Sequence, residues 1–158
     1  MRKKSKYKPK QVRPDAINWV LAGLKFVSSV PTAGTMLHLK NHAALDEVLH
    51  GRGTREHIET LIALVNMAEV LASFGIGQDW MPEIEDAQDA IHDMAQRGIS
   101  GKPFLFTGLE MQKVKVVCEL HDEQLKHCTV KQMEDAIAFI GKNVMNGKAR
   151  QIVPKVAA

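Results

Sequence analysis

Seven histidines, two cysteines and 18 Asp and Glu residues are the side chains of this 158-residue chain that could bind a metal or move a proton. Glu47-x-x-His50 and Asp89-x-x-His92 have the spacing by which a helix offers two ligands to a di-iron centre. Such a centre needs two further inward carboxylates. Glu59 is one candidate, but no complete inward-facing set can be assembled. Cys118-x-x-His121 followed by His127-Cys128 offers four ligands of the type zinc takes. Cys118 and His121, however, fall on a helix whose apolar pattern competes for the same positions. His38 and His42, at i and i+4, lack the central Glu of an H-E-x-x-H site and a supporting third ligand. These residues read as buried cysteines and surface histidines, with no metal and no cofactor expected.

Nucleotide and acyl chemistry find no better support. Gly98-Ile-Ser-Gly101-Lys102-Pro103 is too short for a phosphate-binding loop and puts Pro where a hydroxyl must hold Mg²⁺. Gly75-Ile-Gly77 has no third glycine and follows a helical pattern, not a strand. No G-x-S-x-G is present, so no nucleophile elbow is expected. The chain reads as non-catalytic.

Charge is divided along the chain. The formal net charge is +3, from 21 basic and 18 acidic side chains. Arg2, Lys3, Lys4, Lys6, Lys8, Lys10 and Arg13 stand without any acid in residues 1–14, which therefore carry +7. The remaining 144 residues hold 14 basic and all 18 acidic side chains, a balance of −4. Lys3, Lys4, Lys6, Lys8, Lys10 and Arg13 can engage phosphates, with Tyr7 available to stack on a base. A second charged feature is acidic: Asp79, Glu83, Glu85, Asp86, Asp89 and Asp93 come with no base before Arg97. Glu83, Glu85, Asp86, Asp89 and Asp93 are the candidate surface for a basic partner.

The elements that must position these groups are helical. Aromatic residues make up only 5% of the chain while Met and Leu are plentiful, a balance that suits helices over sheets. The expected fold is all-α, a compact bundle of five or six helices with a disordered basic N-terminal arm. Residues 1–14 are the arm, 15–147 a single helical domain and 148–158 a basic C-terminal tail.

Asp15 predicts a helix start, with Ile17, Val20, Leu21, Leu24 and Val27 at helical spacing before Ser28, Ser29 and Pro31. A short helix is expected within Met36–Leu49. Thr54 is a good N-cap for a strongly apolar, central helix that ends before Gly75. Asp79 and Pro82 open a further helix closed by Gly98. Phe104–Phe106 could be extended. Thr107-x-x-Glu110 and Thr129-x-x-Gln132 match capping boxes, the second helix stopping at Gly147. A helix-turn-helix over Glu119–Ile140 is disfavoured, because the turn lacks Gly and Glu134 and Asp135 would oppose phosphate.

No apolar run approaches the roughly 20 residues a membrane span needs. The run Trp19–Leu24 is short and followed by Lys25, which argues against a secretory signal. Two cysteines make no disulfide framework, so a reducing cytoplasm is the expected setting.

Three stretches carry a resemblance: the head Arg2-Lys-Lys-Ser-Lys-Tyr-Lys-Pro-Lys10, the run Leu64-Val-Asn-Met-Ala-Glu-Val-Leu71 through Gly77, and Glu119-Leu-His-Asp-Glu-Gln-Leu125. The chain is similar in these to a family of small proteins carried by phages and prophages of proteobacteria. The shared patterns are a basic head, a mid-chain helix ending at Gly, and an L-H-x-x-Q-L helix followed by a capped last helix. The resemblance implies a setting, a bacterial cytoplasm and a mobile-element origin, and no reaction. The expected function is that of a binding protein which modulates a host or phage macromolecular machine. Nucleic-acid binding through the arm is the alternative, and a metal-dependent helical-bundle enzyme the third reading. Met-rich helix faces make homo-oligomerisation a further expectation.

Overall fold

Side-chain caps fix the starts of the last two helices of this chain. The computed structural model describes residues 24–29 and 33–148. Among them lie five α-helices: α1 (Ala33–Leu49), α2 (Arg55–Ser73), α3 (Met81–Ile99), α4 (Gly108–His127) and α5 (Val130–Met145). Two single 3-10 turns, Val27–Ser29 and Gln78–Trp80, complete the regular structure. The described residues contain no strand, and the fold is an all-α bundle, as composition and periodicity predict.

Both expected capping boxes form. The Thr107 hydroxyl accepts from the Glu110 N–H at 3.4 Å, and the Glu110 carboxylate accepts from the Thr107 N–H at 2.8 Å. Thr129 and Gln132 exchange the equivalent bonds at 3.2 and 2.9 Å. Each pair satisfies two of the N–H groups that a helix start leaves without partners. Thr54 caps α2, and the reciprocal bond comes from its N–H to His57 Nδ1 at 3.2 Å, a partner outside the usual Glu or Gln. Gly75 follows the C-cap of α2 with φ 90°, a left-handed turn suited to glycine.

Three expectations need correction. Residues 24–27 do not end a helix. Val27 N–H donates to Cys128 O and Val130 N–H donates to Lys25 O, so this backbone is bridged to the start of α5. Those bonds replace the helical ladder, and Leu24 is exposed while Val27 is buried. The helix expected within Met36–Leu49 begins earlier, at Ala33. Gly98 does not close α3, which continues to Ile99, with Gly101 in the left-handed conformation at φ 92°. The role of Gly98 is spatial: a Cβ there would lie 2.1 Å from ring atoms of Phe104. The missing side chain lets the Phe104–Phe106 segment, which is not a strand and bends at Phe104, fold back against α3.

Helix α2 packs against each of the other four helices, the central place its broad apolar face predicts. It divides the interior into two clusters. The first joins α1 to α4 through Val48, Leu61, Ile84, Ile91, Met94 and Val114, and includes Cys118. The second lies under α5 and holds Val27, Val70, Leu71, Leu125, Cys128 and Ala136. Burial pushes the Cys118 thiol up to about 12, with Asp122 and Glu119 adding to the effect, and pushes Cys128 up to about 11. Both cysteines are buried as the sequence suggests; His121 is not a surface histidine but is 1% exposed.

The loop between α3 and α4 is clasped by charge. Arg97 donates to both Glu110 carboxylate oxygens, at 2.8 and 2.6 Å, and to the Leu105 carbonyl at 3.2 Å. Partial burial pushes the Glu110 carboxyl up, but its bonds from Arg97 and Thr107 outweigh this and hold it below the ordinary value.

Candidate functional site

Helix α5 carries a strong helical apolar pattern, yet Ala136 is its only buried residue. It rests chiefly on α2, so one neighbour must cover a face wide enough for two. Met133 and Ile140 are half-buried against the second cluster. Ile137 and Val144, which the spacing places with the core stripe, are exposed, as are Phe139 and Met145 at 46% and 89%.

The uncovered side of α5 forms one wall of a groove of about 710 Å³. Phe139, Ile140 and Val144 line this wall, and Ile62, Val65 and Val70 of α2 line the floor. Met81, Gln88, Ile91 and His92 of α3 form the far wall. Gln88 Nε2 donates to Glu69 Oε2 at 2.8 Å between floor and far wall. His92 Nδ1 is buried without a hydrogen-bond partner among the described residues, its nearest carboxylate oxygen on Asp93 standing at 3.7 Å. The groove is mostly apolar, with polar groups on each side: Asn66, Glu69 and Ser73 on the floor, Gln88 and His92 on the far wall, and Asn143 and Lys148 beside α5's apolar residues.

The sequence-predicted acidic residues lie on the same helix as the far wall but do not line the groove. Glu83, Glu85, Asp86, Asp89 and Asp93 are all exposed on α3. At 3.6 residues per turn, Glu85 and Asp89 come next around α3 after Gln88 and His92, and Asp93 and Asp86 lie beyond them. Glu83 stands apart in the first turn, where the helix dipole favours a carboxylate. Asp86 pairs with Lys113 of α4 at 3.3 Å. Glu85 and Asp89 are thus the predicted carboxylates nearest the groove, while Asp86 faces the α4 side of the helix. The other predicted set, Lys3, Lys4, Lys6, Tyr7, Lys8, Lys10 and Arg13, lies outside the described residues.

The metal candidates scatter, with one exception. Glu47 is engaged by Arg52 through two bonds, at 2.9 and 2.8 Å, which hold its carboxyl below the ordinary value. His50 Nδ1 bonds the Asp46 carbonyl at 2.8 Å. Cys118 and Cys128 sit in different clusters, so the zinc set of the sequence reading does not assemble. His38 and His42 of α1 do gain a third group, Asp122 of α4. His38 Nδ1 lies 3.0 Å from Asp122 Oδ1 and His42 Nε2 lies 2.7 Å from Oδ2. The i, i+4 spacing of the histidines was the visible signal; their partner, 80 and 84 residues away, required the fold.

No helix among the described residues is long and apolar enough to cross a membrane. No protein-family model, no curated protein and no solved structure matches the chain.

Proposed function

We propose that this chain is a non-catalytic binding protein whose groove between α2, α3 and α5 receives a helix of a partner protein. The partner helix would turn an apolar face to Phe139, Ile140 and Val144 and basic side chains to Glu85, Asp89 and Asp93. The observation that carries this reading is the exposed apolar side of α5, continuous with a mostly apolar groove whose α3 wall is followed around the helix by the exposed Glu85 and Asp89. Exposed apolar surface of this kind, rimmed by polar groups, is characteristic of protein-binding sites. The resemblance in the head, the mid-chain helix and the α4 motif supports a phage- or prophage-derived accessory protein of the bacterial cytoplasm. Its target would be a host or phage macromolecular machine, in a regulatory or counter-defence role.

The test is affinity capture from host lysate, followed by binding of the purified partner to wild type and to Phe139→Asp and Asp89→Lys variants. Both positions are exposed, Phe139 also meeting the Phe74 ring edge-on at 6.4 Å between centroids, and circular dichroism confirms that each variant is folded. The expected result is a complex that survives moderate salt, lost with Phe139→Asp and weakened with Asp89→Lys. Capture of non-specific proteins only, or equal binding by all three, would overturn the reading.

The +7 charge of residues 1–14 favours a second reading, a nucleic-acid-associated protein that uses Lys3 through Arg13 on phosphates. Self-association through the same face of α5 is the competing use of the groove. It would appear in sedimentation as a concentration-dependent dimer abolished by Phe139→Asp.

A further inference from the structure

The His38–His42–Asp122 cluster lies on the α1–α4 side of the bundle, built from different residues than the groove. Two imidazoles one helical turn apart on α1 face a carboxylate from α4, and one donor atom from each lies within 4.8 Å of the others. The rings are adjacent, with centroids 4.3 Å apart and tilted by 43°. Asp122 is well covered, with a side chain 19% exposed, whereas His38 and His42 are 49% and 39% exposed. The cluster is therefore more covered on its α4 side than on its α1 side.

We infer that His38, His42 and Asp122 form a binding site for a borderline divalent transition-metal ion of the zinc class. An ion about 2.0–2.1 Å from nitrogen and oxygen donors holds neighbouring ligands about 3.0–3.4 Å apart. The two His-to-Asp separations are already near that range, and small side-chain rotations would close the His–His edge. Two imidazoles with one carboxylate are a donor set such ions select over the oxygen-only sets of Mg²⁺ and Ca²⁺. An adjoining cavity of about 530 Å³ is lined by His38, Asp122, Glu119, Glu123 and Thr35, among others. It leaves room for a water or a further oxygen ligand to complete the coordination. Glu119 lies one turn before Asp122 on the same helix and brings a second carboxylate to this cavity.

The experiment uses the full, tag-free chain after chelator treatment. Zn²⁺ is titrated calorimetrically and Co²⁺ by visible absorption, which reports coordination geometry. Wild type is compared with His42→Ala, Asp122→Asn and, as a surface-histidine control, His127→Ala. Asp122→Asn keeps a hydrogen-bonding group of the same shape, and circular dichroism confirms that each variant is folded. The inference expects one equivalent of Zn²⁺ with micromolar or tighter affinity and a ligand-field spectrum with Co²⁺. It also expects affinity lowered at least about tenfold in both cluster variants, with no change in His127→Ala. Absence of stoichiometric binding, or binding that folded His42→Ala and Asp122→Asn retain, would overturn it.

Discussion

Gln124 accepts a hydrogen bond from Nδ1–H of His121 at 3.2 Å while its own amide donates to the carbonyls of Ala68 and Ile76 at 2.9 and 2.8 Å. An amide oxygen can only accept, so the bond assigns the ring proton of His121 to Nδ1. Both side chains are buried, and together they tie α4 to α2 and to the turn that follows it. Burial holds His121 below its ordinary pKa, with the Gln124 bond and Asp122 opposing. The L-H-x-x-Q-L pattern that carries part of the family resemblance is thus a packing and hydrogen-bonding device.

Gln124→Met should show this directly. Methionine fills a similar volume but leaves the Ile76 carbonyl and His121 Nδ1 without their partner. The expected loss is about 2–3 kcal/mol in urea unfolding, since a buried polar group without a partner costs about 1–3 kcal/mol. Groove binding by the folded variant should be unchanged.

Gly98→Ala tests the contact with Phe104. In a free helix this change stabilises by about 1 kcal/mol. Here the added methyl would meet the Phe104 ring, and a net loss of about 1–3 kcal/mol is expected. In a Phe104→Ala background the sign should reverse, with Gly98→Ala neutral or stabilising. A double-mutant cycle on thermal unfolding measures the difference.

Glu110→Gln should destabilise by about 1–2 kcal/mol at neutral pH, because Arg97 loses its charged partner. Since folding lowers the Glu110 pKa, its contribution is present above the ordinary value of 4.5 and is lost as pH falls through the folded value. The stability gap between wild type and Glu110→Gln should therefore narrow with acidification below pH 4.5. A gap constant from neutral to strongly acidic pH would show that the Arg97 clasp is energetically silent.

Deletion of residues 2–13 separates the two functional readings. If the arm binds nucleic acid, affinity should fall steeply with salt in the full chain and vanish in the deletion. If the groove is the working surface, the shortened chain should bind its protein partner as before. Filter binding and calorimetry on the same two proteins distinguish these outcomes.

Local signals made most of the helix ends legible. A capping box spans four residues, so Thr107 with Glu110 and Thr129 with Gln132 could be read directly. The partner of Thr54 could not, because His57 is an uncommon third-position acceptor. Gly98 was ambiguous, since the same residue ends helices and admits close neighbours, and only Phe104 decides between them. His121 looked like a surface histidine because its buried acceptor, Gln124, must first be anchored by α2. The acidic residues of α3 were visible as a run of charges, whereas the groove arises because α3 and α5 both pack against α2.

The two buried cysteines give the molecule a record of its own motions. With thiols pushed up to about 12 and 11, Cys118 and Cys128 hold almost no thiolate at neutral pH and are shielded from reagents. Each becomes reactive only when its surroundings open. Because they belong to separate clusters, alkylation followed residue by residue times the opening of each half of the interior independently. Partner binding in the groove should slow modification of Cys128, which lies in the cluster beneath α5, more than that of Cys118.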